Sequence, residues 1–471
     1  MKILSIQKQT KAIAIFLVIF LSCTFSQAQE ITGQWNSVLS IQGMNLRIVF
    51  HINKTDDGYT STMDSPDQGA KGIPVTNTSF DGAKLSLEIK NIGMLYEGEF
   101  KTDSVTGTFK QNGMSLPMTL KRTEVEVKPV VRSQEPKPPY PYISEDITFE
   151  NKSAGITLAG TFTKPATGNN FPAVILISGS GAQDRNEEIL GHKPFLVIAD
   201  YLTRQGVAVL RYDDRGTAQS TGDFSSATTA DFATDVESAI LWLKTRKELN
   251  KNKIGLMGHS EGGVIAPMVA ARSKDVGFIV MLAGTGIRGD SLLLLQQELI
   301  YRASGMPEEM IAENRRINSL IFSKITGTNN ILSQQEIVDF ITTNLKSDIE
   351  KFVSEGTSAD DYIQQLAPSL SSVWIQYFLR YNPAPALEKV RCPVFAVNGG
   401  KDLQVPANVN LTAINNSLKK GGNKNVKIKE YPNLNHLFQE CTTGSPAEYS
   451  TIDQTFSPDV LKDLADWILK L

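Results

Sequence analysis

Cysteine is nearly missing from this chain, with three in 471 residues, so no disulfide framework organises it. Histidine is almost as scarce, at four. That scarcity excludes a histidine-rich metal cluster and leaves few side chains able to act as a base near neutral pH. Neither sign of charge prevails: 47 Lys and Arg face 50 Asp and Glu, for a formal net charge of −3. Without a basic excess or a basic cluster there is no electrostatic pull toward nucleic acid or anionic membranes. No phosphate-cradling glycine loop occurs either. Long hydrophobic runs are also lacking, and the uncharged stretch Ala12 to Leu21 is too short to span a bilayer comfortably.

That stretch follows Lys2, Lys8 and Lys11 and precedes Ser26-Gln27-Ala28, small residues at the positions a signal peptidase needs. The pattern predicts a cleaved secretory signal over residues 1–28, export to the periplasm or medium, and no stable membrane span afterwards. Cys23 offers a second reading, a lipoprotein anchored there, although Phe20 stands where an aliphatic residue is wanted. Cleavage leaves Cys392, at the start of a late strand, and Cys441, past the loop at its far end. A strand of typical length, ~17–20 Å, separates such ends, far beyond the ~7 Å limit for a disulfide. Two free thiols are expected.

Residues 29–124 carry short runs of period-two patterning: Leu46 to Ile52, Leu85 to Ile89, Tyr96 to Phe100, Val105 to Phe109 and Leu116 to Leu120. Asp57-Gly58, Asp81-Gly82 and Asn112-Gly113 sit between such runs as hairpin signals. An antiparallel barrel or sandwich is expected. Gly33-Gln34-Trp35 resembles the opening motif of lipocalin-like barrels, and His51 is a strand residue with no expected chemistry. The domain is either a ligand-binding or docking module or a piece that covers the enzyme. Prolines 129, 136, 138, 139 and 141 then mark residues 125–143 as a semi-rigid extended linker.

From residue 144 the pattern changes to an antiparallel pair (Asp146 to Glu150, Ile156 to Thr163) followed by apolar strands alternating with helices. Strands are expected at Ala173 to Ser178, Val207 to Tyr212, Lys253 to Gly258, Gly277 to Ala283, Val394 to Asn398 and Val426 to Tyr431. Helices are expected at Pro194 to Gln205, Ala230 to Arg246, Val264 to Ala271, Ala407 to Leu418, and from an N-cap at Ser457 to Leu471. This alternation predicts a doubly wound, mostly parallel sheet. Residues 286–385 break the rhythm with three helical patterns (Leu292 to Ile300, Glu308 to Ile325, Gln334 to Ser354), and read as a helical cap over the strand ends. Trp374, Tyr377, Phe378 and Tyr381 either line a substrate pocket or pack the cap down.

The stretch that organises the rest is Gly258-His-Ser-Glu-Gly262, a G-x-S-x-G between a buried strand and a helix. Glycine at both flanks permits a turn too tight for side chains, lifting Ser260 clear. The amide of Glu261 then points where an oxyanion would form. Serine needs a base, and the base needs an orienting acid. His51 lies in the other domain, His192 precedes the serine, and His259 must turn its ring away from Ser260. His436 remains, on a turn after the last strand. Asp402, after the strand Val394 to Asn398 and a glycine turn, supplies the acid. Their order, Ser260, Asp402, His436, is the one a G-x-S-x-G elbow carries. The glycine-rich turn Ser178-Gly-Ser-Gly181 should supply the second oxyanion donor, through the amide of Ser180 or Gly181. Asp184 and Arg185 are read as shaping that loop, and Asp213-Asp-Arg-Gly216 as structural or as part of the pocket rim.

With Gly258-His-Ser-Glu-Gly-Gly263, Ser178-Gly-Ser-Gly181, Asp184-Arg185, Asp213-Asp-Arg-Gly216, Gly399-Gly-Lys-Asp402 and Asn435-His436, residues 144–471 resemble the α/β-hydrolase superfamily. The resemblance is closer to exported bacterial carboxylesterases with an N-terminal β-domain and a helical cap. It implies cofactor-free hydrolysis of small or medium acyl esters through an acyl-enzyme. Ser178 departs from the resemblance, since many relatives have histidine there in H-G-x-G. Two alternatives stay open. One is an aminopeptidase- or oligopeptidase-like amide hydrolase, with Glu298, Glu308 or Asp361 meeting a substrate amine. The other is a non-catalytic binding protein that uses its β-domain.

Overall fold

The computed structural model describes residues 30–41, 44–66, 70–111, 114–123, 132–351, 353 and 358–471. The expected signal segment with Cys23, and the Asn112-Gly113 hairpin signal, lie outside these residues.

The first part is one antiparallel sheet of nine strands: β1 (Gly33–Ile41), β2 (Met44–Thr55), β3 (Gly58–Ser65), β4 (Ala70–Pro74), β5 (Asn77–Phe80), β6 (Lys84–Ile89), β7 (Met94–Lys101), β8 (Ser104–Gln111) and β9 (Met114–Lys121). Its order is β4-β3-β2-β1-β9-β8-β7-β6-β5. The sheet curls so that its ends approach: Val75 donates its amide to the Ser61 carbonyl at 3.0 Å, and Thr78 its hydroxyl to Ser61 Oγ at 3.0 Å. The concave side is filled by alternate residues of each strand, among them Trp35, Phe50, Leu87, Tyr96, Val105 and Leu120, all buried. Period-two patterning is what allows one face to be dry and the other wet. Trp35 Nε1 donates to the Ile31 carbonyl at 2.7 Å, and Arg122 lies over its ring. The half-barrel has more strands than the sequence patterning marked, because short strands such as β4 and β5 carry one large apolar residue each, Ile73 and Phe80, too few to show an alternation. His51 is a β2 residue bonded to Asp64 at 2.9 Å.

The second part is an eight-stranded sheet flanked by helices. In chain order it runs β10 (Tyr142–Asn151), β11 (Ile156–Pro165), β12 (Phe171–Ile177), α1 (Pro194–Arg204), β13 (Ala208–Tyr212), α2 (Thr229–Thr245), β14 (Leu249–His259), α3 (Gly262–Ala270) and β15 (Phe278–Leu282). The inserted cap follows as α4 (Gly289–Ala303), α5 (Glu308–Thr326), α6 (Gln334–Ile349), α7 (Ala359–Ser371) and α8 (Val373–Arg380). Short α9 (Ala384–Leu387), β16 (Val394–Gly399), α10 (Ala407–Lys420), β17 (Val426–Tyr431) and α11 (Pro458–Lys470) complete the chain.

The sheet order is β10-β11-β13-β12-β14-β15-β16-β17. β10 and β11 pair antiparallel, β11 joins β13 antiparallel, and the remaining neighbours are parallel. One face packs α2, α3 and α10 over Leu256, Ile279 and Ala396; the other packs α1 and α11 over Val174, Val280 and Val397. Strands covered on both faces are built mainly of apolar residues, and β15 (Phe-Ile-Val-Met-Leu) is apolar throughout. This is the α/β-hydrolase fold. The cap keeps its own core of Ile321, Ile341, Leu345, Ile363, Ala367 and Leu379.

Four local expectations change. Residues 132–134 of the expected linker are docked, not free-running. Arg132 donates to the carbonyls of Ile452 and Ser450 at 2.9 and 2.8 Å, and Gln134 to that of Phe456 at 2.7 Å. The third cap helix stops at Ile349, and two further helices fill the interval to Arg380. Ser457 stands at the N-cap of α11 but its side chain makes no cap bond. The turn near Gly58 falls on residues 56–57, with Gly58 itself at φ +136°.

Cys392 and Cys441 are both free. Burial pushes the Cys392 thiol up to about 12. Alkylation without reductant should therefore modify Cys392 only after unfolding, and both cysteines should be alkylated in denaturant, counted by peptide mass spectrometry. Failure of both to react in denaturant would mean that they are bridged.

Candidate active site

Strand β14 ends at His259 and α3 begins at Gly262, so the reversal is left to two residues. A Cβ on Gly258 would sit 1.9 Å from the Gly262 carbonyl oxygen, and one on Gly262 would sit 2.1 Å from that of Ile177. Only glycine fits at either position. Ser260 takes φ +50°, a conformation that costs a non-glycine residue free energy and persists because its surroundings enforce it. Its amide is tied to the Leu282 carbonyl at 2.8 Å.

Asp402 follows β16 and His436 follows β17, and the structure brings them together. His436 Nδ1 lies 2.7 Å from Asp402 Oδ2, with both residues buried. Since the carboxylate accepts, Nδ1 carries the proton and Nε2 is left as the lone-pair nitrogen. The other oxygen, Asp402 Oδ1, accepts the amides of Gln404 and Val405, each at 2.8 Å. The His436 turn is shaped by Asn435, wholly buried, whose Oδ1 accepts the amides of Leu437 and Gln439 at 3.0 and 2.9 Å. The rings of His436 and His259 lie 4.8 Å apart, which places the imidazole against the residue preceding Ser260.

The turn after β12 is built by buried carboxylates. Asp214 accepts the Ser178 hydroxyl at 2.7 Å and the Gln183 amide at 3.0 Å. Asp213 receives the Arg185 guanidinium through Nε at 3.0 Å and Nη2 at 2.6 Å. Ser178 thus anchors the loop through its own side chain. Gly179 donates its amide to Glu187 Oε1 at 2.7 Å. Among the described residues, the amides of Ser180, Gly181 and Glu261 have no protein acceptor. Burial without a cation, with Glu261 and Glu187 nearby, pushes the Asp214 carboxyl up to about 8.

Glu261 is also buried, and burial raises its carboxyl. It accepts the Thr229 hydroxyl at 2.6 Å and Trp374 Nε1 at 2.8 Å. Of the four cap aromatics, Trp374 therefore reaches the elbow. Phe378 stacks on Trp374 at 5.4 Å and is buried with Leu292 and Val405. Tyr381 packs on the sheet core and stacks with Tyr377 at 5.9 Å. The cap carboxylates Glu298 and Glu308 are paired with Arg302, and Asp361 accepts the Ser358 hydroxyl at the start of α7. His192 is buried between Thr455 and the Tyr449 carbonyl, its pKa lowered to about 4 by that burial. Among the described residues no cluster is placed to hold a metal ion, and no helix is long and apolar enough to cross a membrane.

The sequence profile of the X-Pro dipeptidyl-peptidase (S15 family) matches residues 154–427, more than half of the chain. The chain belongs to this family. The S15 match contains Ser260 and Asp402 and stops short of His436. Esterase EstD of Thermotoga maritima is 27% identical over 391 residues, covering 81% of this chain and 83% of the relative. That is more of the chain than residues 144–471 can supply, so the likeness extends upstream of the hydrolase sheet. An uncharacterized 31.7 kDa protein of Escherichia coli is 27% identical over 54% of this chain and 80% of its own length. Among solved structures, a Pyrococcus furiosus esterase covers 70% of this chain and 91% of its own at 14% identity, with a TM-score of 0.43. As a member of the S15 family with this esterase relative, the protein is a serine hydrolase.

Glu187 was not marked by sequence reasoning, and His259 was set aside. No local signal separates Glu187 from its acidic neighbours Asp184 and Glu188, because only folding brings it under His259, at 2.9 Å.

Two predictions follow from the buried carboxylates. Asp214 holds its proton to about 8 in the folded chain against about 3.9 when unfolded. The contribution of Asp214 to stability should therefore fall as pH rises from about 4 to 8. Asp214→Asn should flatten that slope in urea melts, and an unchanged slope would refute the assignment. Trp374→Phe leaves a smaller aromatic ring in place and removes a donor to a buried carboxylate. It should cost about 1–3 kcal/mol in the same assay.

Proposed function

We propose that this protein hydrolyses small or medium carboxylic esters with Ser260 as nucleophile, His436 as general base and Asp402 as the acid that orients it. The observation that carries this reading is the buried 2.7 Å contact between Asp402 and His436 Nδ1, beside the strained elbow that presents Ser260. His436 Nε2 takes the hydroxyl proton as Oγ adds to the ester carbonyl. The resulting imidazolium is stabilised by Asp402 and protonates the departing alcohol. Water, deprotonated by the same nitrogen, then cleaves the acyl-enzyme. The amides of Glu261 and of Ser180 or Gly181 receive the oxyanion, and losing one such donor typically costs about 2.7–4 kcal/mol of transition-state stabilisation. EstD is named an esterase, which supports ester over amide.

The S15 description favours a second reading, removal of X-Pro dipeptides by the same chemistry. A substrate amine would then need a carboxylate, and Glu298, Glu308 and Asp361 are already engaged within the cap. We also propose export, on the charge and apolar pattern of residues 1–28.

p-Nitrophenyl acyl esters and X-Pro p-nitroanilides should be assayed side by side, with a fluorophosphonate label on Ser260. Esters are expected to turn over, Ser260→Ala to be folded and inactive, and activity to fall in acid as His436 is protonated. Turnover of the anilides alone would favour the peptidase. A Ser260→Ala enzyme at wild-type rate, or a flat profile down to about pH 4, would remove the triad.

A further inference from the structure

His259 sits inside the nucleophile elbow, with a side chain that the hydrolytic mechanism does not use. It is buried, and each ring nitrogen has one partner. Nδ1 is 2.9 Å from Glu187 Oε1, and Nε2 is 3.0 Å from the backbone carbonyl of His436. Glu187 Oε1 also accepts the amide of Gly179 at 2.7 Å. One pair of side chains therefore ties three segments together: the elbow through His259, the candidate oxyanion loop through Gly179, and the base loop through the His436 carbonyl.

We propose that His259 and Glu187 are positioning residues, a buried imidazolium–carboxylate pair that clamps the base loop to the oxyanion loop behind the nucleophile. This inference rests on the triad reading and adds to it the parts that hold the triad in register.

Three observations support it. First, both ring nitrogens face acceptors. A carbonyl cannot donate, and an oxygen already taking the Gly179 amide asks Nδ1 to donate too. A neutral imidazole has one N–H and can satisfy only one of the two contacts. Burial opposes the charge on His259, but the adjoining Glu187 carboxylate outweighs it, with help from the His436 carbonyl and from Asp402, so its proton is held more tightly than usual. Second, the fit is close. A Cβ on Gly179 would come 3.2 Å from Ser260 Cβ, 3.3 Å from Glu187 Oε1 and 3.6 Å from His259 Nδ1. A side chain at residue 179 would press Ser260 and Glu187 apart by a few tenths of an ångström. Glu187 itself takes φ +52°, a strained backbone for a side chain that must reach one point.

Third, the surroundings are apolar. Phe195, Ile198, Leu282, Leu437 and Phe456 enclose the pair around a void of about 10 Å³. An ion pair in such a setting is poor stabilisation, because desolvating the two charges offsets most of their attraction. Its geometric consequence is what remains. The His436 carbonyl cannot leave Nε2 without leaving a buried donor unpaired. Since Nδ1 of the same residue is bonded to Asp402, His436 is held at both its backbone and its ring. A displacement of about 1 Å in such a group can lower a rate by about a hundredfold.

The test uses the full-length protein with ¹⁵N-labelled histidine and the substitutions Glu187→Gln and Glu187→Leu. Wild-type His259, assigned by His259→Gln, should keep both ring nitrogens protonated to higher pH than an ordinary imidazole, whose pKa is about 6.5. In Glu187→Gln, which keeps an acceptor oxygen but not the charge, His259 should fall back to one proton. There kcat for an ester should drop about tenfold while KM stays within about twofold, and fluorophosphonate labelling of Ser260 should slow in parallel. Glu187→Leu should lose at least as much kcat; if it does not fold, the glutamine variant and the wild-type spectrum decide alone. A singly protonated His259 in the wild type, or full kcat in Glu187→Gln, overturns the clamp even while Ser260 labels and turns over. Turnover that survives Ser260→Ala overturns the triad reading instead.

Discussion

Two backbone segments at the end of β14 approach more closely than any side chain allows, and the rest of the molecule is arranged around that contact. With Gly262 carbonyl and Ile177 carbonyl occupying the places where side chains of residues 258 and 262 would go, the chain can reverse within two residues. That reversal forces Ser260 to positive φ and starts a helix immediately behind it. The strain is held by what lies on both sides. β12 and β15 flank β14 in parallel, and α3 is buried along its length. A rigid two-faced core is what makes such a turn affordable at all.

The rim above that core concentrates carboxylates out of water, and each is answered differently. Asp402 has an imidazole, Asp213 a guanidinium, and Glu187 a second imidazole. Asp214 and Glu261 have only neutral donors, and burial raises both. Carboxylates that meet a basic side chain and carboxylates that meet only neutral donors thus stand side by side on one rim. Buried polar groups of this kind are costly unless every one is paired, so the network tolerates little displacement of any member.

The cap and the half-barrel are tied to the hydrolase sheet in unequal ways. The cap has its own apolar core, yet Trp374 passes out of it to Glu261. Seating the cap therefore bears directly on the residue whose amide is an oxyanion donor in the proposed mechanism. The half-barrel is filled by its own large side chains, Trp35, Phe50 and Tyr96 among them. Downstream of it, residues 132–134 are fastened to the chain before α11 by Arg132 and Gln134, so the connection ends in a docked segment.

The parts of this protein that were legible in the linear chain are those governed by short-range rules. Alternation marked most central strands, apolar runs between helical stretches marked the doubly wound sheet, and the glycines at 258 and 262 marked the elbow because their steric demand is local. Ser260, Asp402 and His436 were nominated by their order after successive strands, since strand ends in a parallel sheet share one edge. The short strands β4 and β5 escaped notice because each has a single large apolar residue and so no run that could alternate. Which of the four aromatics from Trp374 to Tyr381 would touch the elbow, and that Glu187 would lie beneath His259, were settled only by folding. Those contacts join residues 113 and 72 positions apart, and nothing in the neighbourhood of either partner encodes the other. Sequence determined the elements and the order of their ends; tertiary structure decided which buried charges meet, because that depends on distances no local pattern specifies.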